Sequence, residues 1–198
     1  DRTGLHQIRH TPLPGGDSRV LAAGGGWRVS GRRVLNPRNF DSALVVLDGD
    51  GAPRLTIDAP RDPGTGLPLS LRHFDVAADG SVWAGLQYPD PAPGDAPLLY
   101  RAALTGAWPG FRAASPPPGG WAAFGGYVAS VAASADGREV VATSPHGHIV
   151  AAWRAADGRC LGATRLADAA PVAGAPGGWI VGTGTGTLVN GAGGRVRG

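Results

Sequence analysis

The chain has 198 residues, among them 34 glycines and 18 prolines, and 42% of its residues are hydrophobic. The high content of hydrophobic residues excludes a collagen-like or disordered chain, and the many glycines and prolines favour a β-rich globular domain with frequent turns. The formal net charge of +3 is mild and the arginines are scattered, so we predict no nucleic-acid partner, and no apolar run approaches the roughly 18 residues of a membrane span.

Strand-like segments follow one another along the chain, with short turns between them. Near the N-terminus two such segments flank Gly15-Gly16, and two more flank the turn at 48–51. Asp79-Gly80 and Asp136-Gly137 each separate two alternating segments, as in β-hairpins. No segment has a sustained helical apolar period, so helix is predicted to be nearly absent. The repeats of this pattern cover about residues 6–58, 72–114, 128–166 and 171–197.

The spacing of these repeats is typical of propeller blades. The corresponding turn glycines Gly16, Gly80, Gly137 and Gly177 lie 64, 57 and 40 residues apart, near the roughly 40–50 residues of a blade. We therefore predict an all-β, WD40-like β-propeller in a single domain, with a β-sandwich or β-helix as the alternative. Four blades are few for a closed ring, and the chain has no methionine. It is therefore interpreted as part of a larger ring of about seven blades.

Several short motifs resemble a known bacterial family. They are SLRHF at 70–74, the DVAADGSVWAGLQY that follows it, GYVASV at 126–131, ATSP at 142–145, and APGGWIVGTGTG near the end. In order and spacing they are similar to the C-terminal part of the family catalogued as domain of unknown function 1513. Leu86 and Val172-Ala173 stand where that family tends to have a cysteine and a Cys-Gly pair.

This resemblance implies a compartment and possible partners, but no reaction. It implies an exported, periplasmic, propeller-like protein without an assigned activity. It also implies an association with iron-regulated imelysin-type proteins and with a dihaem oxidoreductase-like protein.

Unusual polar side chains collect at one end of the predicted blades. In a four-stranded meander, the turn between the first and second strands and the turn between the third and fourth strands lie at one end. The connection between the second and third strands and the crossover to the next blade lie at the opposite end. The turns with Asp79, Asp136 and Asp157 belong to the first end, which we expect to be remote from any pocket. Loops on a rigid sheet commonly carry binding groups, so the opposite end is the predicted ligand site at the mouth of the channel. The predicted ligand-binding residues are His6, Arg72, His73, Gln87, Tyr88, Tyr127, Ser144 and His146.

Each candidate also has a structural alternative. His73 would hydrogen-bond a neighbouring blade, and Arg72 would either hold a ligand carboxylate with two hydrogen bonds or bind loop carbonyls. His146 and His148 are weak metal candidates, because strand spacing puts both on one side but two ligands do not complete a site. An exposed turn is the simpler interpretation of that pair.

The sequence predicts a binding protein more readily than an enzyme. No GxSxG, HExxH or CxxC motif occurs, and no catalytic residue or cofactor is predicted. The favoured function is a non-catalytic module for a small ligand or a partner protein in an iron-linked periplasmic pathway. The alternatives are a metal-assisted hydrolase or lactonase, whose central cation would activate water, and a purely structural interaction scaffold. Oxygen ligands for such a cation are few at the predicted site, because most aspartates lie in the turns at the other end.

Overall fold

The computed structural model describes residues 4–12, 18–31, 33–89, 94–104 and 110–191. Within these ranges the chain forms antiparallel strands and a single 3-10 turn, Trp121–Phe124. The Gly15-Gly16 turn and the end of the fourth predicted repeat lie outside the described residues. In the described part no helix is long and apolar enough to cross a membrane.

The first sheet is a four-stranded meander interrupted by a small hairpin. The strands of this region are β1 (Leu5–Pro12), β2 (Ser18–Gly24), β3 (Val29–Ser30), β4 (Arg33–Val34), β5 (Ala43–Leu47) and β6 (Pro53–Asp58). The sheet order is β1-β2-β5-β6, and β3 pairs with β4 alone. The sequence did not predict this hairpin, because strands of two residues are too short to show an alternating pattern.

The second and third sheets are uninterrupted meanders. The second consists of β7 (Ser70–Val76), β8 (Val82–Gln87), β9 (Leu99–Ala103) and β10 (Gly110–Ala113). The third consists of β11 (Ser130–Ala133), β12 (Glu139–Ser144), β13 (Ile149–Arg154) and β14 (Cys160–Arg165). The strands β8 and β12 are almost continuously buried, because a neighbouring sheet packs on each of their faces. The predicted alternation of buried and exposed residues therefore does not hold in these two strands, where both faces are covered.

The fourth sheet has three described strands, β15 (Ala169–Ala175), β16 (Gly178–Thr183) and β17 (Leu188–Asn190). Neighbouring sheets meet through their first strands: β7 contacts β1 and β11, and β11 contacts β15. The four sheets therefore follow one another around their first strands, and none of them closes on itself. This arrangement is that of a partial propeller.

Aromatic rings form the core between the second and third sheets. The Trp121 and Trp153 rings stack with centroids 5.9 Å apart and planes 4° apart, and Phe124 packs against both. The Trp153 Nε1–H donates a hydrogen bond of 2.8 Å to the Ser115 carbonyl. Burial of each large ring contributes on the order of 3 kcal/mol, so this cluster holds the two sheets in a fixed relative position.

A buried aspartate connects three sheets near the middle of the molecule. Asp75, on β7, forms an ion pair with Arg9 on β1. Its Oδ2 also accepts a 2.9 Å hydrogen bond from the backbone N–H of Ala133 on β11. The carboxylate thus balances the charge of Arg9 on the first sheet and accepts a hydrogen bond from the backbone of the third sheet.

Candidate functional site

Two histidines meet where the first and second sheets begin. His6 on β1 and His73 on β7 pack edge to face, with ring centroids 4.8 Å apart and planes at 84°. The neighbouring Gln7 fixes this register, because its side-chain amide donates to the Phe74 carbonyl at 3.0 Å and accepts from the Phe74 N–H at 2.9 Å. The side chain of Gln7 therefore acts as a strand-like bridge between β1 and β7.

Arg72 lies beside these histidines on β7 and stacks on a tryptophan. Its Cζ is 3.7 Å from the centroid of the Trp27 ring, a cation–π geometry. Its Nε–H donates a 2.9 Å hydrogen bond to Gln87 Oε1, at the end of β8. Among the described residues no carboxylate forms an ion pair with this guanidinium.

A short loop presents Trp27 to Arg72. Gly26 has a φ of 74°, in the left-handed region that favours glycine. The side chain of Asn36 holds the loop on both sides of Trp27: its Nδ2 donates to the Gly26 carbonyl at 3.0 Å, and its Oδ1 accepts from the Arg28 N–H at 2.7 Å. The hairpin that the sequence did not reveal thus supports the aromatic platform.

The third sheet contributes a tyrosine and a histidine. Tyr127 precedes β11 and forms an isolated backbone bridge with Gln87, and its ring centroid lies 5.2 Å from that of His146. A Cβ on Gly147 would overlap the Ala123 carbonyl oxygen and lie 2.9 Å from Phe124 Cα. The glycine therefore allows the His146 loop to pack on the Trp121–Phe124 turn.

We call these seven residues the entry cluster, because they lie at the end of the sheets where β1 and β7 begin and where the chain enters β11. Its members are His6, Trp27, Arg72, His73, Gln87, Tyr127 and His146. We call the opposite end, with Asp79, Asp136 and Asp157, the turn end.

Four titratable groups of the entry cluster have shifted pKa values, and Arg72 is the one among these four that is charged at neutral pH. Burial, with Arg72 and then His73 as further causes, lowers the pKa of His6 to about 4. Burial and then Arg72 lower the pKa of His73. Burial raises the pKa of Tyr127, against the opposing effect of Arg72. Burial lowers the pKa of Arg72 to about 10, where the guanidinium still carries its charge at neutral pH.

Six of the eight predicted ligand-binding residues therefore lie in one set of contacts drawn from three sheets. They are His6, Arg72, His73, Gln87, Tyr127 and His146. Their role in binding a ligand remains a prediction. Trp27 was not among the predicted ligand-binding residues, because a tryptophan is ordinarily expected in the core. The signal that could have identified it is its position directly after three glycines, in a loop leaving a strand.

Tyr88 and Ser144 are placed differently from what the sequence predicted. Tyr88 is 4% exposed and Ser144 is fully buried. The Tyr88 hydroxyl donates to Asp62 Oδ2 at 3.0 Å and accepts from the Ala96 N–H at 2.9 Å. The Ser144 hydroxyl donates to the Phe124 carbonyl at 2.7 Å. Both side chains hold loops in place, so we leave them out of the entry cluster.

The proposed pairing of His146 and His148 as metal ligands is also corrected. His148 is not in β13 but precedes it, with a φ of 51°, so the alternation of a strand does not apply to it. Its Nδ1 accepts a 3.1 Å hydrogen bond from the Asp168 N–H. In the described part of the chain, no three His, Cys, Asp or Glu side chains are grouped so that they could hold a metal ion.

The turn end is not remote from pockets, contrary to the prediction. A cavity of about 540 Å³ lies there, lined by Asp79, Asp136, Arg138, Glu139 and Arg154 together with several alanines and Leu161. The reason is that the Asp-Gly turns of the second and third sheets stand side by side, and the groove between them is open.

The fold is that of a β-propeller, and solved structures with a similar fold support this class. The chain is similar to the β-propeller domain of Cps50 (Swd1) from Myceliophteria thermophila, with 12% identity and a TM-score of 0.53, over 96% of this chain and 52% of that one. It is similar to a protein of unknown function from Bacteroides caccae, with 13% identity and a TM-score of 0.53, over 99% of this chain and 67% of that one. A third similar structure is XC5397, a gluconolactonase from Xanthomonas campestris, with 19% identity and a TM-score of 0.52, over 89% of this chain and 56% of that one.

Sequence identities this low show the fold alone. The structural similarity and the open sheets confirm the prediction of an all-β partial propeller. The chain spans about half the length of the first of these structures. Residues 3–197 match the family described as Protein of unknown function (DUF1513), and the chain belongs to that family. No curated protein matches it.

Proposed function

We propose that the protein is a non-catalytic binding module whose binding surface is the entry cluster at the mouth of the propeller channel. The observation that supports this is the convergence of cationic, imidazole, amide and phenol groups from three sheets at one end. Ligand sites combine aromatic and apolar walls with a few convergent polar groups that orient the ligand, and the entry cluster offers aromatic rings beside such groups.

The experiment is a binding screen with defined probes from several chemical classes. Glucose, gluconate, benzoate, benzamide, glycine and choline would each be titrated into the protein, with nuclear magnetic resonance shifts of the tryptophan indole groups as the measurement. We expect at least one class to bind, and Tyr127→Ala and His146→Ala to weaken it at least tenfold.

The control is Arg154→Ala at the turn end, which should leave the affinity unchanged. A probe whose affinity falls only in Arg154→Ala would move the binding surface to the turn end and contradict the proposal. If no probe binds, the proposal fails for small molecules of these classes, and the alternative of a purely structural scaffold is favoured.

We also propose, from the family resemblance, that the protein works in the periplasm with an iron-regulated imelysin-type or dihaem oxidoreductase-like partner. Cell fractionation of the full-length protein tests the compartment, and co-purification from iron-starved and iron-replete cells tests the partner. A cytoplasmic full-length protein would contradict both parts of this proposal.

A further inference from the structure

The Arg72 guanidinium is the strongest unbalanced charge in the described part of the molecule. It is half-buried in the sheet region, and burial is the main cause that lowers its pKa. Keeping a cation away from water costs several kcal/mol unless a partner compensates it. Here the described partners are a neutral amide oxygen and an aromatic ring.

Other arginines in less protected positions have acidic partners. Arg9 pairs with Asp75, Arg101 with Asp79, and Arg154 with Asp157. The side chains of Arg9 and Arg154 are 44% and 46% exposed, so they need a counter-ion less than Arg72 does. In the described part of the chain these more exposed arginines have carboxylate partners, whereas the less exposed Arg72 has none.

The orientation of Arg72 leaves the far edge of its guanidinium available. Nε donates to Gln87 Oε1, which fixes the plane of the group. The terminal Nη1 and Nη2 have no acceptor among the described residues, and neither belongs to the buried polar atoms that lack a partner. The two parallel N–H groups at this edge match the two oxygens of a carboxylate.

The neighbouring groups favour a monoanion over a dianion. Tyr127, His6 and His73 are neutral at neutral pH, which leaves Arg72 as the charged group among these four residues. A single carboxylate balances that charge, whereas a phosphate dianion would bring a second charge without a cationic partner.

On the assumption that the entry cluster binds a ligand as proposed above, we infer that this ligand carries a carboxylate, which pairs with Nη1 and Nη2 of Arg72. The Trp27 and Tyr127 rings then flank the organic part of the ligand, and Gln87 orients the guanidinium. Arg72 is a binding residue in this scheme, and Gln87 is a positioning residue.

The test compares matched acids and amides. Benzoate and benzamide, acetate and acetamide, and inorganic phosphate would be titrated into the full chain at pH 7.5 and constant ionic strength. We expect each carboxylate to bind at least tenfold more tightly than its amide, and Arg72→Gln to remove at least nine-tenths of that preference. Arg72→Lys keeps the charge but loses the planar pair of donors, so it should retain only part of the affinity.

The control is Arg101→Gln at the turn end, which should leave the carboxylate preference unchanged. Thermal melting of Arg72→Gln checks that this variant is folded. Equal affinity for acid and amide, tighter binding of phosphate, an unaffected Arg72→Gln variant, or no carboxylate binding would each overturn the inference. Benzamide that binds as tightly as benzoate and is lost in Tyr127→Ala would overturn the carboxylate inference while supporting the binding module, so the two proposals fail in different ways.

Discussion

The two ends of the sheets treat their charged groups in opposite ways. At the turn end, Asp79 Oδ1 accepts from the Ser81 N–H and its Oδ2 accepts from Arg101, while Asp136 and Asp157 accept from the backbone N–H two residues later. At the entry end, Arg72 is more buried than these groups and has no acidic partner among the described residues. In the described part of the chain, acidic turn residues at one end thus have local partners, whereas the cation at the other end contacts an aromatic ring and a neutral amide.

The largest expected effect tests whether the entry end depends on close backbone packing. Gly147→Ala should lower the free energy of unfolding by about 3 kcal/mol, because the new methyl group would overlap Ala123 and press on Phe124. Chemical denaturation measures this. The control is Gly49→Ala in the turn after β5, where a Cβ meets nothing within 4 Å, and it should change the stability by less than about 0.5 kcal/mol. Equal stability of the two variants would show that the His146 loop can move aside.

The next effect concerns Asp75, the buried, paired carboxylate on the same strand as Arg72. Asp75→Asn should cost about 2–3 kcal/mol of unfolding free energy, because the amide replaces one acceptor by a donor and weakens the bonds to Arg9 and Ala133. Asp157→Asn, in an exposed turn pair, should cost less than about 0.5 kcal/mol in the same denaturation assay. A loss of under about 0.5 kcal/mol in Asp75→Asn would mean that the sheets do not rely on this carboxylate.

A smaller effect is expected from pH at the entry end. Because the pKa of His6 is about 4 in the folded chain and that of His73 is also lowered, the unfolded chain binds more protons below its ordinary histidine pKa of about 6.5. Stability contributed by the neutral histidines is therefore present above about pH 6.5 and falls as the pH drops towards 4.

The measurement is the difference in melting temperature between wild type and a His6→Gln, His73→Gln variant, from pH 7 to pH 4.5. We expect the variant to lose less stability on acidification, by at most about 1 kcal/mol because His6 is partly open to solvent. Parallel curves for the two proteins would contradict the lowered pKa values of His6 and His73.

The smallest expected effect is the most informative for the comparison of the two ends. Arg72→Met should change the unfolding free energy by less than about 0.5 kcal/mol, because the lost cation–π contact is offset by removal of an unbalanced, partly buried charge. Arg101→Met should cost about 1 kcal/mol, because it breaks the contacts with Asp79 and with the Ala156 carbonyl. If Arg72→Met lost more than about 2 kcal/mol, Arg72 would be a residue that holds the sheets together rather than one kept for a ligand.

The amino-acid sequence by itself determined the long strands of the four sheets, the Asp-Gly turns of the second and third sheets, and the end at which most of the predicted site residues lie, but not the short β3–β4 hairpin. Alternation of apolar residues and the Asp-Gly pairs are local signals, and the meander converts them into positions because each turn reverses the chain. For that reason local signals are sufficient to predict that His6, Arg72, His73 and Tyr127 lie at one end of the sheets.

Only the tertiary structure decided which of these side chains have partners. Arg72 meets Trp27 from 45 residues away, Asp75 meets Ala133 from 58 residues away, and Tyr88 is occupied by Asp62. The groove between the turns of the second and third sheets likewise exists because two sheets stand side by side. Burial and hydrogen bonding between sheets depend on contacts that no local pattern encodes, so the absence of an acidic partner for Arg72 in the described part of the chain is a property of the assembled sheets alone.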